Sequence, residues 1–206
     1  MKIVITDKSH SLYAEIICNT IAESASVRGT GIAKRTPEYI ISKIEIGNAI
    51  IALEDDKFAG FCYIESWGHN KFVANSGLIV HPDFRGRGLA KKIKKMAFNH
   101  SRAKFPDSKI FSITTGLAVL KMNSELGYKP VTFSELTDNQ AFWNGCKTCQ
   151  NYDILQRTNQ KMCLCTGMLY DPKSKNESTS KKVKENVFVR LKSIKETVFQ
   201  HKNKSK

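Results

Sequence analysis

The sequence predicts a mixed α/β domain, built on a mostly antiparallel sheet of six to seven strands with flanking helices. Three observations predict it. Short β-branched or aromatic runs bounded by turn residues recur along the chain. Apolar stripes at helical spacing carry recognisable start and stop signals. Strands come first in a run and then alternate with helices, the order of a sheet that is part meander and part wound.

The elements follow in order. "KIVIT" (Lys2 to Thr6) is a short β-branched strand, and "SLYAEIICNTIAESA" after it places Leu12, Ile16 and Ala22 near helical spacing. Gly29 and Gly31 break that helix, and a second starts at Thr36-Pro37, where Thr suits the N-cap and Pro the first helical position. "NAIIALEDDKFAGFCYIESWG" reads as two strands around the "EDDK" turn, and "KFVANSGLIVHP" supplies a third that stops at Pro82. Leu89 to Lys104 is an amphipathic helix, with Leu89, Ile93, Met96 and Ala97 on one face and Lys91, Lys92, Lys94 and Lys95 mostly on the other. "KIFSITT" is a strand, "GLAVLKMNSELG" a helix closed by Gly127, and "YKPVTFSEL" another strand. "KMCLCTGMLYD" (Lys161 to Asp171) completes the set.

A chain of 206 residues, 41% of them hydrophobic, can bury a real core, and the length suits one domain with an appendage. We place the domain at 1–170, with a Cys-rich excursion at 141–165, and a basic tail at 171–206. The net charge of +14 favours anionic partners, but half of it falls in the tail. "MKIVIT" is not a basic region followed by an apolar run, and no stretch approaches the ~18 apolar residues of a membrane span. A cytoplasmic protein is therefore expected. In that compartment the six cysteines read as reduced thiols or metal ligands ahead of a disulfide framework.

"HPDFRGRGLAKKI" concentrates positive charge where a helix begins. A helix N-terminus already carries roughly half a positive charge, so acidic residues are expected there. Arg85, Arg87, Lys91 and Lys92 stand in that place, with Gly86 and Gly88 leaving the backbone amides bare. Such a loop suits phosphate oxygens. It lacks the "GK[ST]" ending of a Walker loop and the third glycine of a dinucleotide fingerprint. The alternative is a glycine turn with an ordinary solvated basic face.

Arg85-x-x-Gly88-x-Ala90, entered from "GLIVHP" and followed by an amphipathic helix, resembles the coenzyme A signature of the GNAT superfamily of N-acetyltransferases. The order of elements matches that fold from about residue 1 to 170. The resemblance implies that backbone amides of Arg85, Gly86, Arg87, Gly88, Leu89 and Ala90 hold the coenzyme pyrophosphate. It implies that pantetheine runs between two splayed strands, one carrying Leu78, Ile79 and Val80 and the other ending at Thr114, with Thr115 beside it. The Val80 amide would then donate to the thioester carbonyl, where a fixed N–H aimed at a developing oxyanion is worth ~3 kcal/mol of barrier.

Two further groups are needed. Glu65, His81 and Glu125 are candidates for the base that takes a proton from the incoming amine. Relatives place a Glu on the strand equivalent to "FVANSGLIV", where this chain has Asn75 and Ser76, so Glu65 or a water chain is expected to serve. At the position of the family's tyrosine that protonates the leaving thiolate stands Asn123, which either assists departure or binds pantetheine. Tyr128 is the remaining hydroxyl, read either as a proton donor or as core.

Arg28, Lys34 and Arg35 in "RGTGIAKRTPEYI" form a basic loop that pairs well with a carboxylate. With "TTGLAVLKMNSELGY" and "CKTCQNYDIL…CLCTGMLYD" it looks similar to bacterial acyltransferases of arginine biosynthesis, which implies an N-acylglutamate synthase using acetyl- or succinyl-coenzyme A. Acetylation of another amine, such as a protein N-terminus or lysine, and an inactive coenzyme A-binding regulatory module stay open. Cys146, Cys149, Cys163 and Cys165 gather within 20 positions; they fit a structural zinc site, buried free thiols or a redox pair. If the last two lay on one ideal strand, they would stand roughly 7 Å apart, too far for one zinc without a bend. The tail is a linker followed by a stripe of Val187, Leu191, Ile194 and Val198, suited to docking on the domain, to a homodimer contact or to a charged surface; nucleic acid is not the expected partner.

Overall fold

The computed structural model describes residues 1–28 and 33–174. The chain divides after Pro172 into two units, and the first holds every element described below. The expectations placed on Gly29, Gly31 and the tail stripe lie outside the described residues, as does the side chain of Arg28.

Strand β1 (Lys2–Ile5) leads through a 3-10 turn into α1 (Ala14–Arg28), and α2 spans Pro37–Glu45. The Thr36 side chain accepts from the Tyr39 amide at 3.3 Å, so the cap expected from Thr-Pro is made. Strands β2 (Ala49–Glu54) and β3 (Lys57–Trp67) form a hairpin whose two turn residues, Asp55 and Asp56, both take positive φ. That is the geometry that matches strand twist in a two-residue turn. Then come β4 (Phe72–Val80), α3 (Leu89–Lys104), β5 (Lys109–Thr114), α4 (Leu117–Glu125) and the short β6 (Lys129–Val131). Two short helices absent from the sequence reading, α5 (Gln140–Asn144) and α6 (Tyr152–Arg157), fold the excursion, and β7 runs Thr166–Tyr170. The last strand is thus shorter than expected at its start. Cys163 and Cys165 precede it, so the strand spacing expected of them does not apply.

The seven strands order as β1-β2-β3-β4-β5-β7-β6. All neighbours are antiparallel except β4 and β5, which run parallel and pair only at Phe72–Lys109, Val73–Ile110 and Ala74–Phe111. Beyond Ala74 and Phe111 the two strands part, leaving a split in the middle of the sheet. One face is covered by α1 and α2, packed on Phe61, Tyr63 and Ile79, with Trp143 and Leu155 of the excursion on Phe72 and Phe111. The other is covered by α3 and by Tyr128, packed on Cys62, Ile64, Val73 and Ile110. Two sheet faces, each buried, explain why β2 reads as a continuous apolar run instead of an alternating one.

Candidate active site: the split between β4 and β5

A bulge aims β4 at the split. Phe61 pairs with Ile79 and Tyr63 with Ser76, so β4 carries one extra residue there. Gly77 takes φ +65° at that point, and a Cβ on it would lie 2.6 Å from the Tyr63 ring. Only glycine meets both demands. The His81 amide donates to the Ala59 carbonyl at 2.9 Å, and antiparallel pairs alternate between bonded and non-bonded. In that register the Gly60–Val80 pair is a non-bonded one. The Val80 amide therefore points away from β3, into the split.

The loop between β4 and α3 ends in Gly88, the helix N-cap, at φ +71° and with no side-chain cap bond. A Cβ on Gly86 or Gly88 would meet nothing within 4 Å. The first amides of α3 thus open onto free space, a cradle that suits phosphate oxygens. The arginines beside it are partly employed elsewhere. Arg85 donates to the Val80 carbonyl at 3.1 Å and to Ser24 of α1 at 2.9 Å. Arg87 lies 3.4 Å from Glu54 and over the Phe84 ring. Lys91 pairs with Glu125 at 2.7 Å, linking α3 to α4.

Loop and split open into one cleft of about 930 Å³. Its walls include Leu78, Ile79 and Val80, residues 112–119 of the opposing strand and α4, and Arg35, Tyr39, Tyr63 and Glu65 on the α1/α2 face. Thr115 is among the lining residues.

Other candidates fall differently. Glu65 lines the cleft, but one carboxylate oxygen accepts from the Tyr39 hydroxyl at 2.6 Å and the other pairs with the Lys43 ammonium. Burial, ahead of Tyr63 and Glu65, pushes the Tyr39 hydroxyl far up, so it stays a donor. His81 packs against the rings of Phe58 and Phe84 and does not line the cleft, and Glu125 is spent on Lys91. Tyr128 is 3% exposed, and its hydroxyl donates to Asn75 at 3.0 Å, which makes it core and not an open proton donor. Asn123 is fully buried, and neither amide atom has a partner among the described residues. Asn123 is not among the residues lining the cleft, so the structure does not bring it to the split as the sequence reading expected.

Arg35 lies on the cleft wall. Its Nε donates to the Tyr63 hydroxyl at 2.9 Å and Nη1 to the carbonyls of Lys34 and Gly145 at 2.9 and 3.3 Å. The guanidinium stacks over Tyr39 at 5.4 Å. Nη2 makes no bond, and no carboxylate pairs with the group among the described residues. Lys34 is exposed, lies outside the cleft lining and contributes its carbonyl.

The four clustered cysteines all line the cleft as free thiols. Burial first, then neighbouring thiols, pushes Cys165 up to about 12 and Cys146 to about 11. The Cys149 sulfur accepts from the Asn151 amide at 3.4 Å. Among the described residues no group of three or more His, Cys, Asp or Glu is placed to hold a metal ion. The zinc reading therefore finds no support among the described residues: the four thiols share one wall of the cleft, but no group of three is placed to hold a metal ion.

One residue of the cleft escaped sequence reasoning. Lys94, expected on the solvated face of α3, is 1% exposed and lines the cleft. A signal existed: Ala90, Lys94, Ala97 and Ser101 recur at helical spacing, and the small residues leave room for a long side chain.

The sequence model of the acetyltransferase (GNAT) family matches residues 19–118. The fold is similar to that of N-acetylglutamate synthase from Neisseria gonorrhoeae, a structure with coenzyme A and N-acetyl-glutamate, at TM-score 0.60 and 16% identity over 82% of this chain and 34% of that one. It is similar to a GNAT-family acetyltransferase from Staphylococcus aureus at TM-score 0.60 and 13% identity, covering 84% and 99%. The diaminobutyrate acetyltransferase of Paenibacillus lautus, solved with coenzyme A and its substrate, matches at 0.56 and 11% identity, covering 83% and 94%. The chain thus spans about a third of the length of the synthase. No curated protein matches in sequence.

Proposed function

We propose that the chain, whose residues 19–118 match the sequence model of the acetyltransferase (GNAT) family, is an acyl-CoA-dependent N-acyltransferase that moves an acetyl or succinyl group to the amine of a small acidic amino acid, glutamate first among them. The observation that carries the acceptor class is Arg35, a cation on the cleft wall without a carboxylate partner among the described residues and with Nη2 unspent. A basic acceptor would meet that charge as repulsion, whereas a carboxylate gains a charge-assisted bond.

The bare amides at Gly88, Leu89 and Ala90 fit a diphosphate, and the split beyond Ala74 fits a thread-like donor. Acyl-coenzyme A, bound there, would supply the thioester that the acceptor amine attacks. Val80 presents an amide to the split, placed to bind a carbonyl oxygen that gains charge as the amine adds. Arg35 orients the acceptor carboxylate, which brings its amine to the open side of the split. Glu65, held by Tyr39 and Lys43, is positioned to order water between the acceptor and solvent, and the proton leaves along that route.

Release of free thiol from acetyl- and succinyl-coenzyme A, measured across a panel of amino acids and polyamines, tests the reading. We expect release that depends on glutamate or a close acidic relative. Equal release with neutral or basic amines overturns the acceptor assignment, and tight coenzyme binding with no release under any acceptor overturns turnover itself.

A further inference from the structure

Lys94 is a buried ammonium at the apex of the split. The last paired residues of β4 and β5 are Ala74 and Phe111, so Asn75 and Ser112 are the first beyond them, and both line the cleft. Lys94 Nζ reaches the Asn75 side-chain oxygen in a long contact of 3.5 Å and lies 5.2 Å from the centre of the Tyr128 ring. No carboxylate pairs with it among the described residues. Isolated burial of a charge is strongly unfavourable unless something compensates it.

The surroundings hold Asn75 in one orientation. The Ser101 hydroxyl donates to the Ala97 carbonyl at 2.8 Å, so its oxygen accepts from the Asn75 amide nitrogen, also at 2.8 Å. That leaves the Asn75 oxygen facing Tyr128 and Lys94. The titratable groups near the ammonium are Cys62 on β3 and Tyr128 after α4. Burial pushes Cys62 up to about 11 and Tyr128 well above its usual value, so both are neutral at pH 7 and neither cancels the charge. An ammonium has three N–H donors, and the Asn75 oxygen, which already accepts from Tyr128, takes at most one of them.

Taking the coenzyme reading above as its basis, we propose that Lys94 is the proton donor to the sulfur that departs from the thioester. A donor anchored by its diphosphate at Gly88, with its thioester carbonyl on the Val80 amide, occupies the same cleft that Lys94 lines. As the acceptor nitrogen attacks the thioester carbon, the C–N bond forms and the C–S bond breaks with its electron pair on sulfur. Lys94 passes one proton to that sulfur, giving the free thiol, and recovers a proton from water. The acceptor nitrogen gives its surplus proton to solvent on the opposite face. Burial lowers Lys94 to about 8, close to the ~8.5 of a free thiol, so the transfer is nearly isoergic in either direction.

The test titrates the product. Coenzyme A carrying ¹³C next to its sulfur is bound to the full chain and to Lys94→Met, and the carbon shift is followed with pH; the six protein thiols do not contribute to this signal. We expect the bound thiol to ionise at least tenfold more readily in the wild type than in the Met variant, with Lys94→Arg keeping the lowered value. Equal titration in wild type and Lys94→Met overturns the role of Lys94 while leaving the coenzyme site intact. If the Met variant does not fold, a wild-type thiol that titrates at or above the value of free coenzyme A overturns it as well. Failure of coenzyme A to bind the wild type overturns the coenzyme reading, and the proposal with it.

Discussion

Three cations of the cleft have no carboxylate partner among the described residues, Arg85 at the loop, Arg35 on the α1/α2 face of the sheet and Lys94 on the α3 face, and the last two differ in how they tolerate burial. Arg35 spends Nε and Nη1 on a hydroxyl and two carbonyls and stacks on Tyr39, so its charge is well solvated by protein and is held for a ligand to use. Lys94 has one long contact and a ring face, and burial lowers its pKa to about 8. A guanidinium keeps its charge wherever it is placed, while an ammonium in the same situation becomes a proton exchanger. In the proposed reaction the difference separates binding from chemistry: Arg35 holds the acceptor on one side of the split, and Lys94 moves a proton on the other.

Four measurements sharpen or break that division. The largest effect belongs to what both halves share. Gly88→Glu puts a carboxylate against the phosphate cradle and a side chain at φ +71°, and coenzyme A affinity by calorimetry should fall at least ~100-fold. Unchanged binding would remove the cradle from the site. Next, Lys94→Met should lower kcat on the order of 100-fold, the usual size of a lost proton donor, with acceptor KM within about twofold. A change confined to KM would place Lys94 with Arg35 as a binding group.

Arg35→Ala should raise acceptor KM about tenfold or more, the cost of one charge-assisted bond, and leave coenzyme KM within about twofold. Equal effects on both constants would dissolve the distinction between the two halves. The smallest effect is on stability. Folded Lys94 titrates near 8 and the unfolded chain near its ordinary 10.5, so between those values the unfolded state holds more protons and stability rises with pH. Lys94→Met should therefore be more stable than wild type at pH 7, by on the order of 3 kcal/mol in denaturant melts, with the gap closing as pH rises from about 8 to 10.5. A gap independent of pH would mean that Lys94 is not buried as a charge.

Much of the fold was legible because its signals are local. Thr36-Pro37 starts α2, the "EDDK" turn closes a hairpin, and Leu89 to Lys104 is the helix the apolar stripe marks. The short helices α5 and α6 were not legible, because runs of five and six residues offer too little period to register. Nor was the insertion of β7 between β5 and β6, a long-range choice that no window of sequence contains.

The sequence by itself determined the glycine loop, the helix that follows it and the Arg35 segment, since turn chemistry, caps and charge act between near neighbours. Only the tertiary structure decided that β4 and β5 part after three pairs, that Gly77 yields to the Tyr63 ring, and that one lysine of the run at 91–95 turns inward. Four lysines in that run look alike as letters. The sheet distinguishes them, because helix phase sets which one faces the apex of the split, and burial there changes its chemistry.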